Sequence, residues 1–186
     1  MKKISIALML LLSAWTFQAC NDAENKDSVE KAEDANENTG TAVKEDDSEF
    51  MVEAANGGMM EVELGQLAAT KAQNPRVKAF GSMLVQDHTK ANEELKALAS
   101  SKSVTLPATI GEHHQSHVNE LKEKSGADFD KDYMKLMVDD HETDVKKFED
   151  ASNNAKDAAV KSFAAKTLPT LRAHLDSARA IRDAVK

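Results

Sequence analysis

Three of the six histidines in this 186-residue chain, His88, His141 and His174, fall on the apolar stripes of three different predicted helices, and Glu61 falls on that of a fourth. Imidazole and carboxylate groups are costly to desolvate, and a bundle core that receives them compensates with a metal ion or a mutual hydrogen-bond network. Three ring nitrogens and a carboxylate form a donor set suited to zinc, iron or copper. Asp87, Asp140 and Asp144 stand close enough in the sequence to serve as further ligands or as acceptors behind the rings. Two other readings compete with a metal site. One is a non-catalytic interaction module whose Glu/His network fixes helix register; the other is a redox enzyme, which needs an open coordination position.

The elements that must position these residues are helical. Ser48 is a plausible N-cap for a helix reaching about Gln73, and Asn74-Pro75 opens a second helix that ends near Ser100. Its apolar residues Val77, Phe80, Leu84, Leu95 and Leu98 recur at three- and four-residue steps around His88. A connection over 101–126 contains Pro107, Gly111 and a short helix from about Glu112 to Lys124. A third helix follows over about 127–151, and a fourth over about 155–185 with a kink expected near Lys166 to Pro169. Gly58 and Gly65 on the first helix let its neighbours approach closely.

The connections run short, long, short, which predicts an all-α, ferritin-like four-helix bundle with one long crossover containing a short extra helix. Counted from the Asn74-Pro75 end, Glu61, His88, His141 and His174 then lie about 12, 13, 14 and 11 residues in, roughly 16 to 21 Å deep. A simple up-down-up-down bundle would displace His174 to about 18 residues, near 27 Å. The match of Met83–His88 with Leu136–His141 further suggests a duplicated helical hairpin.

Charge and the single cysteine bear on location. Met1-Lys2-Lys3, an apolar run from Ile4 to Leu12 and Ala19 before Cys20 form an export signal over 1–19 that looks like a bacterial lipoprotein signal. Cys20 is then the acylated N-terminus, attaching the chain to a membrane through lipid, with the outer membrane, on its periplasmic or surface face, as the expected destination; an ordinary soluble export signal is the alternative. Residues 21–49 carry eleven acidic groups against three lysines and predict a disordered acidic linker at 20–49, ahead of a bundle over 50–186. No basic patch suggests nucleic acid, and protein partners are unspecified. No intramolecular disulfide can form with a single cysteine.

Several motifs have weaker readings. His113, His114 and His117 in the crossover suit an exposed polar helix better than a surface chelate, and the methionines at 59, 60, 83, 134 and 137 suit core filling. Val85, Val138 and Leu171 precede the three stripe histidines by three positions, so the Glu-x-x-His pairs of di-iron carboxylate proteins are missing. A mononuclear, histidine-rich site is the more natural metal reading. Phosphate-binding loops, Gly-x-Ser-x-Gly elbows and Cys-His pairs do not occur.

The run from Phe50 to Ala68, with Asn74 to Phe80, Asp87 to Leu95 and Thr167 to His174, resembles an uncharacterised bacterial domain-of-unknown-function family of ferritin-like exported or outer-membrane proteins. The resemblance spans about residues 50 to 180. It implies a helical bundle in the cell envelope and supplies no reaction, substrate or ligand.

Overall fold

The computed structural model describes residues 26–185; the export segment and Cys20 lie outside them. Six helices follow in order: α1 (Ser28–Thr39), α2 (Glu45–Lys71), α3 (Pro75–Ser101), α4 (Glu112–Lys122), α5 (Gly126–Asn154) and α6 (Ala158–Arg182). Among the described residues there is no strand, and no helix is long and apolar enough to cross a membrane. The hairpins α2–α3 and α5–α6 pack side by side, with α3 against α6 and α2 against α5.

Two buried aspartates fix the direction of every rod. Asp130, in the first turns of α5, accepts hydrogen bonds from the backbone amides of Gln73 (3.0 Å) and Asn74 (2.7 Å) at the α2–α3 turn. Asp47, in the first turn of α2, accepts from the amides of Lys156 (3.0 Å) and Asp157 (2.6 Å) at the α5–α6 turn. Each hairpin therefore clamps the turn of the other. One offset of 83 positions separates Asp47 from Asp130, Gln73 from Lys156 and Asn74 from Asp157. The two hairpins are thus pseudo-twofold counterparts, in the reciprocal manner of an isologous contact.

The duplication expected from the sequence is present with a different register. The match of Met83–His88 with Leu136–His141 pairs α3 with α5, two parallel rods on one diagonal, whereas the clamps pair α2 with α5 and α3 with α6. The long crossover makes α3 and α5 parallel, as the ferritin-like reading required, because both leave the end that carries the α2–α3 turn.

Side chains at the contacts follow from the sequence spacing. Gly65 and Gly81 meet backbone to backbone between α2 and α3: a Cβ on Gly65 would lie 2.6 Å from the Gly81 carbonyl oxygen, and one on Gly81 2.7 Å from that of Gly65. The core divides into two apolar clusters. One, nearer the α2–α3 turn, contains Leu64, Phe80, Phe129 and Tyr133; the other contains Met51, Leu95, Phe148 and Phe163. The methionines Met60, Met134 and Met137 are buried filler in the first.

The N-terminal boundary differs from expectation. Residues 28–39 and 45–49, placed in a disordered linker by composition, are helical. Composition failed here because α1 is held by polar contacts as well as by buried Ala32: Asn36 exchanges two hydrogen bonds with the backbone of Thr105, and Asp27 and Ser28 accept from the amides of Glu112 and Thr109. The acidic run Glu45, Asp46 and Asp47 opens α2, where carboxylates favour the positive end of the helix dipole. Ser48 is accordingly inside the first turn and bonds the Glu45 carbonyl rather than capping. At Pro169, α6 continues unbroken; the carbonyl of Ala165 that loses its partner there lies on the exposed side, where water can satisfy it.

Replacing either clamp, Asp47→Ala or Asp130→Ala, leaves two amides without their acceptor and is expected to lower the unfolding free energy by about 2 kcal/mol or more. Urea denaturation of each variant measures it, and a change below about 0.5 kcal/mol in both would refute the clamp.

Candidate metal centre

Glu61 on α2, His88 on α3, His141 on α5 and His174 on α6 converge in one polar layer between the two apolar clusters, and none is more than 6% exposed. All four residues singled out by spacing are therefore together. Glu61 Oε2 lies 2.8 Å from His88 Nδ1, and Glu61 Oε1 lies 3.3 Å from His141 Nε2. These are close approaches without hydrogen-bond direction: both Glu61 oxygens, and His88 Nε2, are buried without a hydrogen-bond partner. Phe80 closes the layer on one side, its ring centroid 6.3 Å from that of His141 and 6.4 Å from that of His174.

Bonds behind the rings decide which nitrogens are bare. His141 Nδ1 donates to the Met137 carbonyl at 2.9 Å, the oxygen one helical turn back, so neutral His141 presents an unprotonated Nε2. His174 Nε2 donates to Asp87 Oδ2 at 2.9 Å, so neutral His174 presents an unprotonated Nδ1. Those two bare nitrogens face each other at 3.4 Å. Lone pair against lone pair, with a carboxylate oxygen alongside, is repulsive unless a cation or an extra proton intervenes.

Protonation of the rings is disfavoured by the surroundings. Burial pushes His141 down to about 3, helped by its neighbours His88 and His174, and pushes His88 down to about 4 against the pull of Asp144 and Asp87. His174 is also lowered by burial, partly offset by its bond to Asp87. A metal ion fits better. Two ligands each about 2.05 Å from one ion at the tetrahedral angle lie about 3.3 Å apart, close to the 3.4 Å between His141 Nε2 and His174 Nδ1 and the 3.3 Å from His141 Nε2 to Glu61. A ring nitrogen from each of His88, His141 and His174 comes within 4.8 Å of the others, and Glu61, Asp140 and His141 form a second such group.

The acidic neighbours join on the α5 side. Burial raises Glu61 and Asp140 well above the ordinary carboxylate range, with added repulsion from Asp144, and raises Asp144 itself to about 6. Tyr133, a buried core residue of α5, also belongs near the site: its hydroxyl is buried without a partner, and burial together with the nearby Glu61 charge opposes its ionisation. His114 departs from the exposed helix expected of it. It is half-buried, with Nδ1 buried and unpartnered, close to Gly57 on α2. Its i, i+3 and i, i+4 neighbours gave no hint, because only the fold of the crossover turns this face inward. His113 and His117 pack ring against ring on the outer side, with centroids 4.9 Å apart.

Comparison with known proteins adds family and fold. The family model described as "Domain of unknown function (DUF4142)" matches residues 32–181. The chain belongs to the DUF4142 family. Among curated proteins, none matches its sequence. Two solved structures share the fold of this DUF4142 chain. A DUF305 fragment from Deinococcus radiodurans superposes with a TM-score of 0.67 at 12% identity, over 76% of this chain and 97% of that one. CopM in its Cu(II)-bound form superposes with a TM-score of 0.65 at 14% identity, over 75% and 97%. At these identities the likeness establishes the helical bundle and nothing finer.

The lowered histidines have a definite pH signature. As pH falls below 6.5 the unfolded chain takes up protons that folded His88 and His141 refuse, so their contribution to metal-free stability is intact above about pH 6.5 and is lost as pH falls towards 4. The raised carboxyls act in the opposite sense, so the comparison must be with a variant. His141→Gln is expected to show a shallower acid limb in thermal melts, and ring resonances of His88 and His141 are expected not to titrate between pH 7 and 5. A His141 ring titrating near 6.5 would contradict the assignment.

Proposed function

We propose that this protein is a metal-handling bundle of the cell envelope that holds a transition-metal ion through His88, His141, His174 and Glu61. The carrying observation is the pair of bare ring nitrogens facing each other at 3.4 Å with Glu61 beside them. Neutral imidazoles and a carboxylate without thiolate suit zinc, copper(II) or iron(II). Asp87 behind His174 and the Met137 carbonyl behind His141 orient the rings and raise their basicity as ligands. The Cu(II)-bound state of a protein with the same fold is in keeping with this reading.

Enclosure favours retention over turnover. The cavity beside Glu61 and His88 is about 20 Å³, room for about one water and not for an organic substrate. A register-fixing network accounts less well for the layer, since such a network stabilises only when its members are satisfied, whereas Glu61 and His88 Nε2 have no hydrogen bond. Sequestering a reactive ion in a dry core is a form of stress protection, and attachment through acylated Cys20 would place it at the outer membrane.

Protein purified without a histidine tag is expected to carry close to one equivalent of metal by elemental analysis, and His88→Ala and His141→Ala to lose it. Equal, low metal content in all three would end the proposal. Metal binding only to the folded state also predicts a melting temperature that falls on chelation in the wild type and not in His141→Ala. For the anchor, Cys20→Ser is expected to shift the protein from the detergent to the aqueous phase of a detergent partition; unchanged partitioning would exclude lipidation.

A further inference from the structure

An ion held by Glu61 and the three histidines has to pass a wall, since all four side chains are buried. Two spaces lie on either side of one residue of that wall. On the outer face, between the crossover and the α2–α3 pair, runs a groove of about 1110 Å³, lined among others by Met59, Gln66, Lys96 and Ile110. It has room for some tens of water molecules. On the inner side is the water-sized cavity beside Glu61, His88 and Asp144. Asn92 lines both.

The sequence spacing puts it there. Asn92 follows His88 by one turn of α3, and Gly58 precedes Glu61 by nearly one turn of α2, so the Asn92–Gly58 contact is the next step along from the Glu61–His88 pair. A Cβ on Gly58 would lie 2.1 Å from Asn92 Oδ1 and 3.0 Å from its Cγ. The carboxamide thus occupies the space that any other residue at position 58 would fill. Asn92 is half-buried, and among the described residues its side chain hydrogen-bonds to no protein group. The apolar walls of the cavity are of another kind: Leu95, Phe148, Phe163 and Leu171 are packed in the second core cluster, and moving any of them opens the core. Rotation about two side-chain bonds carries the Asn92 carboxamide into the groove and breaks no bond.

We propose that metal ions enter and leave the histidine site from this groove, past Asn92, which is a swinging polar plug seated on Gly58. The inference rests on the histidine-bound ion. A plug of this kind suits a cation that must shed its water: the carboxamide oxygen is a neutral donor that replaces a water ligand during passage, and the carboxamide returns to its seat behind the ion. Asn92 belongs to neither end state as a ligand, so it governs how fast the ion exchanges and not how tightly it is held. The competing way in is on the α4 side, where a point 3.9 Å from Asp144 Oδ2, at Gly57, is 4.0 Å from His114 Cε1.

Stopped-flow mixing of the full chain, stripped with chelator, with cobalt(II) gives the uptake rate from the visible bands of ring-bound cobalt, and a chase with excess chelator gives the release rate. Asn92→Ala is expected to raise both rates about tenfold and to leave the dissociation constant within about threefold. Asn92→Leu, which keeps the bulk and removes the polar atoms, is expected to lower both. His114→Ala is expected to exchange like the wild type. Circular dichroism checks folding, and two substitutions at one half-buried position keep the test decisive if one misfolds. Rates within about twofold of the wild type in both Asn92 variants overturn the plug and leave the histidine site standing. A changed affinity without a matching change in both rates, or acceleration in His114→Ala alone, does the same. No cobalt uptake by the wild type overturns the site and the route together.

Discussion

The structure turns on a repulsion. Two imidazole nitrogens without protons face each other in a layer sealed by apolar clusters on both sides, beside a carboxylate that nothing hydrogen-bonds. In water such groups would rotate apart or take up protons. Here the Met137 carbonyl and the Asp87 carboxylate lock the rings from behind, and burial makes protonation of the rings expensive. The fold thereby holds ready a geometry that is unfavourable alone and favourable around a cation. Preorganisation of this kind favours affinity, because the cost of assembling the ligands is borne by folding and not by binding.

What makes that cost bearable is reciprocity at the ends of the bundle. Asp47 and Asp130 each tie the first turn of one hairpin to the turn of the other, so the depth of all four long helices is set by two buried carboxylates at opposite ends. A slip of one hairpin against the other by one turn, about 5.4 Å, would separate Glu61 from His141 and break both clamps at once. The Gly65–Gly81 contact holds α2 and α3 close near the same layer. Polar groups at the ends thus set register, and small residues in the middle set spacing. The apolar clusters above and below supply the burial that drives assembly.

Much of this could be read from the sequence, for reasons that differ by residue. Helical stripes and the Asn74-Pro75 break put Glu61, His88, His141 and His174 on inward faces, and the short-long-short connections put them at one depth. The acidic stretch before Phe50 reads as a linker because composition registers charge and cannot register that Asn36 finds the Thr105 backbone or that Asp47 clamps a distant turn. His114 is not legible in the sequence, since its inward aim depends on how the crossover lies against α2, and Tyr133 reads as an ordinary inward core residue because its spacing does not report the nearby Glu61. The hairpin repeat was seen through Asp-His, whereas the true relation is carried by Asp47 and Asp130, whose roles emerge only from tertiary hydrogen bonds.

The pseudo-twofold relation also explains why the site is lopsided. Counterpart positions carry Glu61 and Asp144, but Gly58 stands opposite His141, and Leu171 opposite His88. The repeat therefore furnishes a matched pair of carboxylates near its axis, and the histidines decorate it unequally. Nitrogen donors gather toward α3, α5 and α6, and oxygen donors toward α2 and α5. A buried layer with nitrogen donors on one flank and oxygen donors on the other is the chemical consequence, a mixed donor set of the borderline kind that first-row transition metals take.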